Sequence, residues 1–182
     1  MTTAPDAADA KGAASAAEPA ELTALVEEAT KKSGLVWVNG QAVWHAWVDG
    51  ALCLVGGPGE QPVPGLTDGG AATVTVRSKD KGGRLVTWQA RVALLAPGSD
   101  PWQAAAAELK PKRLNSPDGE EIVPRWAREC ALFRLTPDGA PSEYPGTMPT
   151  ASGATVPAPT AATTRHPAPA GLPRLLLKRR RR

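Results

Sequence analysis

The sequence predicts a mainly β domain, a six-stranded antiparallel barrel with helical caps, over residues 21–138. Two dipeptides and one alternation predict it. Asn39-Gly40 and Asp49-Gly50 each separate two runs rich in apolar and β-branched residues. Such pairs favour two-residue hairpins, because a type I′ turn needs positive φ at both central positions. Further on, Thr73-Val74-Thr75-Val76-Arg77 alternates polar and apolar residues at the period of a half-buried strand.

The elements follow in order. Leu22, Leu25, Val26 and Ala29 recur at helical spacing, with Glu21, Glu27 and Glu28 early and Lys31 and Lys32 late, as the helix dipole prefers. Gly34 ends this helix. Leu35–Val38, Gln41–Val48 and Ala51–Val55 form three consecutive antiparallel strands. A loop rich in Gly and Pro covers Gly56–Gly70, and strands resume at Thr73–Arg77 and Arg84–Leu95 around a turn over Lys79–Gly83. Ser99-Asp100-Pro101 supplies a cap and a first-turn proline for a helix from Trp102 to Leu109. Lys110–Pro124 reads mostly as loop, Arg125–Glu129 as a helical turn, and Cys130–Leu135 as the last strand. Such a set of short antiparallel strands closes most simply as a small capped barrel.

Residues 1–20 are Ala, Asp, Pro, Gly and Ser without an apolar period, and residues 139–182 are rich in Pro, Ala and Thr. Both are expected to be disordered, since neither can bury enough apolar surface to offset its ordering entropy. The formal charge of +3 divides unevenly: −2 over residues 1–20, −1 over 21–139 and +6 over 140–182. The folded part is thus close to neutral, and its face is not a basic footprint for nucleic acid. No apolar run approaches the roughly 20 residues that cross a bilayer. Asp6 and Asp9 stand where a secretory signal would carry basic residues, so a cytoplasmic protein is expected. With two cysteines, Cys53 and Cys130, and one histidine in the domain, no Cys/His metal cluster is expected.

Few side chains offer chemistry. Along Gln41–Val48, Trp44, Ala46 and Val48 point one way while Val43, His45 and Trp47 point the other. Either one tryptophan faces the core and the other a cleft or a partner, or both are packing residues. His45 is either an acid–base or flavin-contacting group or a histidine satisfied at a sheet edge. The loop Gly56-Gly57-Pro58-Gly59-Glu60-Gln61 either presents backbone N–H groups to an anion or is a plain connection. Arg77 and Lys79 are the nearest cations to balance a phosphate. Lys112, Arg113, Arg125 and Arg128 gather around Trp126, either to reach across a dimer interface to an oxyanion or as a solvated loop anchored by the indole.

The order of these parts resembles a known family. Ser33-Gly34, Leu35-Val36-Trp37-Val38 and Val43-Trp44-His45-Ala46-Trp47-Val48-Asp49-Gly50-Ala51-Leu52-Cys53-Leu54-Val55-Gly56-Gly57 look like the opening of the pyridoxamine 5′-phosphate oxidase-like flavin split-barrel family. Ala72–Arg77, Val86–Val92 and Cys130–Pro137 resemble its later strands, so the likeness spans residues 21–138. It implies a split barrel and a homodimer that holds FMN, or a deazaflavin, in a groove at the subunit interface. The cofactor-binding residues it implies are His45, Trp47, Gly57, Gln61, Arg77 and Lys79, with Arg113 reaching in from the later loop. The chain departs from the family at Glu60, where many members place a base beside the phosphate. A carboxylate there opposes a phosphate unless a cation intervenes.

Two functions are therefore expected. One is a flavin-binding, oxidoreductase-like protein acting on a small-molecule substrate, in which the flavin carries the hydride chemistry. The other is a non-catalytic module tethered by its basic tail. Leu175-Leu176-Leu177 followed by Lys178–Arg182 suits an anionic membrane surface or nucleic acid equally. The same composition also suits an unselected extension of a GC-rich gene.

Overall fold

The computed structural model describes residues 18–149 other than Pro64 and Pro117. Helix α1, Pro19–Lys32, packs Leu22 and Val26 inward and ends at Ser33, whose N–H donates to Thr30 O. Then come β1 (Val36–Val38), β2 (Gln41–Val43), β3 (Ala46–Val48) and β4 (Ala51–Gly56). After the loop, β5 (Ala71–Arg77) and β6 (Arg84–Leu94) form a long hairpin. Two helices, α2 (Asp100–Leu109) and α3 (Ile122–Glu129), precede the final strand β7 (Ala131–Pro137). Ser99 caps α2 through its hydroxyl, which accepts from Trp102 N–H, as the sequence indicates.

Both hairpin turns have the required backbone. Asn39 and Gly40 lie at φ 49° and 84°, Asp49 and Gly50 at 45° and 76°. Their flanking pairs, Val38 with Gln41 and Val48 with Ala51, close two-residue loops.

The sheet has seven antiparallel strands in the order β2-β1-β5-β6-β7-β4-β3, not the six expected. The difference lies at Trp44 and His45, where the anticipated strand Gln41–Val48 breaks. The Gln61 side-chain amide accepts from Trp44 N–H and donates to Trp44 O, each at 2.8 Å, which takes that backbone out of the ladder. Before the break the chain pairs with β1, and after it with β4 at the opposite end of the sheet. Only Trp44 and His45 separate β2 from β3, so the two ends of the sheet meet at this corner and the sheet is rolled.

Apolar side chains fill both sides of this wall. Val36, Val43, Leu52, Leu54, Val74, Val86, Trp88 and Leu135 share the inner core. Ala46, Cys53, Val55, Leu109, Trp126 and Leu132 share a second core beneath α2 and α3. Strand β4 divides them: Leu52 and Leu54 face one and Cys53 and Val55 the other, so all six of its residues are buried. The alternation read along Gln41–Val48 survives the corner. Trp47 stands edge-on to Trp88 at 6.3 Å between centroids, while Trp44 packs on Trp126 at 6.4 Å. The second tryptophan thus meets a helix rather than a cleft.

The packed unit extends to Met148, beyond the expected limit at Asp138. Ser142 and Glu143 donate their backbone N–H groups to Thr87 O, and Thr87 N–H donates to Glu143 O. The segment is held by strand edge rather than by apolar side chains, which composition does not register.

Candidate functional site

A groove of about 710 Å³ opens where the end of α1, strand β1 and the β5–β6 turn converge. That volume falls in the range of small-molecule pockets, roughly 300–1,000 Å³. Its apolar wall is Leu35 and Trp37, and its cations are Lys32, Arg77 and Lys79. No carboxylate is among the lining residues. The register slips between Val76 and Arg77, at the end of β5. The Arg77 guanidinium lies over the Trp37 ring, 4.9 Å from its centroid, a cation–π contact. Ser78 N–H donates to Gly83 O at 2.7 Å and Gly82 N–H to Ser78 O at 2.9 Å, which fixes the turn that carries Lys79. Lys32 meets Glu28 at 3.3 Å in an exposed pair one helical turn apart, a contact weak enough to leave its charge available.

Of the seven expected cofactor residues, Arg77 and Lys79 meet in this groove and the other five do not line it. His45 is 3% exposed, and its Nε2 lies 3.0 Å from Thr30 O. Burial pushes its pKa down to about 4; the Thr30 hydrogen bond opposes this and Lys112 adds to it. The ring is therefore neutral at pH 7 and ties the sheet corner to α1 by donating to the Thr30 carbonyl. Trp47 packs into the inner core. Gln61 spends its amide on Trp44 and on Val55 O. Gly57 is at φ 143°, and a Cβ there would meet Cys130 Cα at 3.0 Å, so its lack of a side chain serves close packing.

Arg113 is likewise committed elsewhere. Its Nε donates to Glu60 at 2.8 Å, and Glu60 also accepts from Arg125 Nη2 and from Trp126 Nε1 at 3.0 Å. Arg125 further donates to Asp118 at 2.8 Å and to Pro58 O at 2.7 Å. The Glu60 side chain is fully buried. Glu60 is thus the hub of an ion-pair cluster that locks the Gly-rich loop to α3. The cations that answer it are Arg113 and Arg125, two of the four gathered around Trp126.

Sequence reasoning missed Trp37 and Lys32. The signal was available, since the alternation that buries Val36 and Val38 turns Trp37 outward beside Thr75, two residues from Arg77. Among the described residues, no group of three or more His, Cys, Asp or Glu could hold a metal ion, and no helix is long and apolar enough to cross a membrane. The polybasic run Lys178–Arg182 lies outside the described residues.

No protein-family model and no curated protein matches this chain. Among solved structures, the crystal structure of HutZ, the heme storage protein from Vibrio cholerae, is similar at 12% identity and a TM-score of 0.42. The match covers 66% of this chain and 92% of that one. At that score the likeness bears on no residue of the groove.

Proposed function

We propose that this chain binds a small phosphorylated ligand bearing a planar ring in the groove beside Trp37. The observation that carries this reading is three cations, Lys32, Arg77 and Lys79, around an aromatic wall with no carboxylate among the lining residues. Arg77 and the two lysines suit a phosphoryl group, and Trp37 suits a flat ring in the place the guanidinium now covers. FMN, or a deazaflavin, is the ligand that the resemblance to the pyridoxamine 5′-phosphate oxidase-like family supplies. The groove fits such a cofactor at its phosphate and ring, though through only two of the seven residues which that resemblance implies. A bound flavin would supply hydride transfer; Arg77, Lys79 and Lys32 would hold its phosphate, and Trp37 would orient its ring and exclude water from one face. The homodimer that the resemblance implies would close the groove's open side.

One observation favours a binding module over an enzyme. The titratable side chains that line the groove are Lys32, Arg77 and Lys79, all cations suited to holding an anion, with no histidine, cysteine or acid among the lining residues.

Titration of the full chain with FMN, followed by flavin absorbance and tryptophan quenching, tests the proposal. Saturable uptake that weakens by an order of magnitude or more in Arg77→Gln and Lys79→Gln is expected. No uptake at micromolar ligand, or uptake indifferent to both substitutions, overturns it.

A further inference from the structure

The outer face of the sheet carries one row of side chains away from the groove. Trp37 pairs with Thr75, Thr75 with Thr87, and Thr87 with Glu143. Antiparallel partners point to the same face, and three strand spacings of about 4.8 Å put the ends of the row about 14 Å apart. The Thr75 and Thr87 hydroxyls touch at 3.2 Å, which makes the row continuous. At its far end, Glu143 accepts from Arg84 Nη1 at 2.9 and 3.0 Å and from Thr87 Oγ1 at 3.0 Å. Arg84 is also the cross-strand partner of Arg77, so the groove's own arginine and this second one sit side by side at the turn end of the β5–β6 hairpin.

An arginine and a hydroxyl converging on one oxyanion make a site for any carboxylate or phosphoryl group. Here the occupant is supplied by the chain itself. The segment that supplies it is lightly held: Pro141 is buried, but Ser142 is exposed and Glu143 and Tyr144 only half-buried. Its backbone hold on the sheet is through Thr87 alone, whose N–H and O take all three bonds to Ser142 and Glu143. A strap so attached can lift without disturbing β5 or β6, whose own pairing runs from Ala71 with Arg91 to Arg77 with Arg84.

We propose that Arg84 and Thr87 form an anion subsite which Glu143 fills as an internal carboxylate, and which a phosphoryl group takes over when the strap over residues 142–148 lifts. The ligand competes with Glu143 for Arg84, so the strap raises the ligand concentration needed for binding. The proposal rests on the groove reading in one respect: with one phosphoryl group of the ligand held at Arg77, a further phosphoryl group reaches Arg84, the cross-strand partner of Arg77.

Inorganic pyrophosphate is the probe, titrated by calorimetry into the full chain and its Glu143→Gln variant, which keeps the strap's backbone bonds. Glu143→Gln is expected to bind on the order of tenfold more tightly. Adding Arg84→Gln to it is expected to abolish the gain. A second readout needs no variant. The Ser142 and Glu143 amides are held by Thr87 O, so their hydrogen exchange should accelerate when pyrophosphate is added. Equal affinity in the native and Glu143→Gln proteins overturns the subsite, as does a gain that survives Arg84→Gln, exchange at Ser142 and Glu143 indifferent to pyrophosphate, or no binding to either protein. The FMN titration of Arg77→Gln decides the groove separately, so the two readings fail by different results.

Discussion

Replacing Glu60 by Gln removes the charge from the cluster that ties the Gly-rich loop to α3 while nearly preserving shape. The carboxylate is fully buried and meets Arg113, at 22% side-chain exposure, and Arg125, at 14%. Breaking a buried pair from one side costs about 3–5 kcal/mol. The partial exposure of both arginines lets water recover some of their hydration, which lowers the expected loss to about 2–4 kcal/mol. The new amide also turns an N–H toward an arginine N–H where an acceptor stood. For a domain of this size each kcal/mol corresponds to roughly 3–5 °C in melting temperature, so a loss of roughly 6–20 °C is expected by calorimetry. FMN affinity, measured well below the transition, should be unchanged, because neither Glu60 nor its partners line the groove beside Trp37. A melting temperature within a degree or two of the native protein would show that the cluster does not hold the loop. A fully folded Glu60→Gln protein that had lost FMN would move the ligand site away from Trp37.

Three other perturbations test the corner and its supports. His45 has a folded pKa of about 4 against an ordinary 6.5, so its neutral form contributes stability that is complete above pH 6.5 and lost as pH falls toward 4. The loss should reach on the order of 2 kcal/mol by pH 5 in urea titrations, and His45→Gln should flatten that dependence. Gln61→Ala leaves the Trp44 N–H and O without their partners. A cost of about 1–3 kcal/mol, with faster hydrogen exchange at the Trp44 amide, is expected. Gly57→Ala forces a Cβ onto Cys130 at positive φ, and should lower the denaturation midpoint by more than Gly40→Ala, which meets nothing within 4 Å.

The two hairpins were legible because their turns demand a backbone that few residue pairs accept, and Asn39-Gly40 and Asp49-Gly50 adopt it. The corner between them was not. Alternation runs unbroken through Trp44 and His45, and the break is imposed by Gln61, 17 residues away in sequence. The site divides in the same manner. Arg77 and Lys79 sit near each other in sequence at a turn, so proximity alone grouped them. Arg113 and Glu60 are 53 residues apart, and nothing local shows that each answers the other. The docked segment around Glu143 escaped notice for a related reason, since Pro, Ser and Gly reveal no hold when the partner is the bare edge of β6 at Thr87.

Strand β4, with both faces covered, has a bearing on how the molecule comes apart. Leu54 and Val55 are adjacent in the chain yet belong to different interiors. The helical layer cannot melt away without exposing one side of this strand, and the rolled sheet cannot open without exposing the other. The two interiors therefore share a single fate, and the molecule cannot shed one of them and keep the other. Strand β4 therefore admits almost no change.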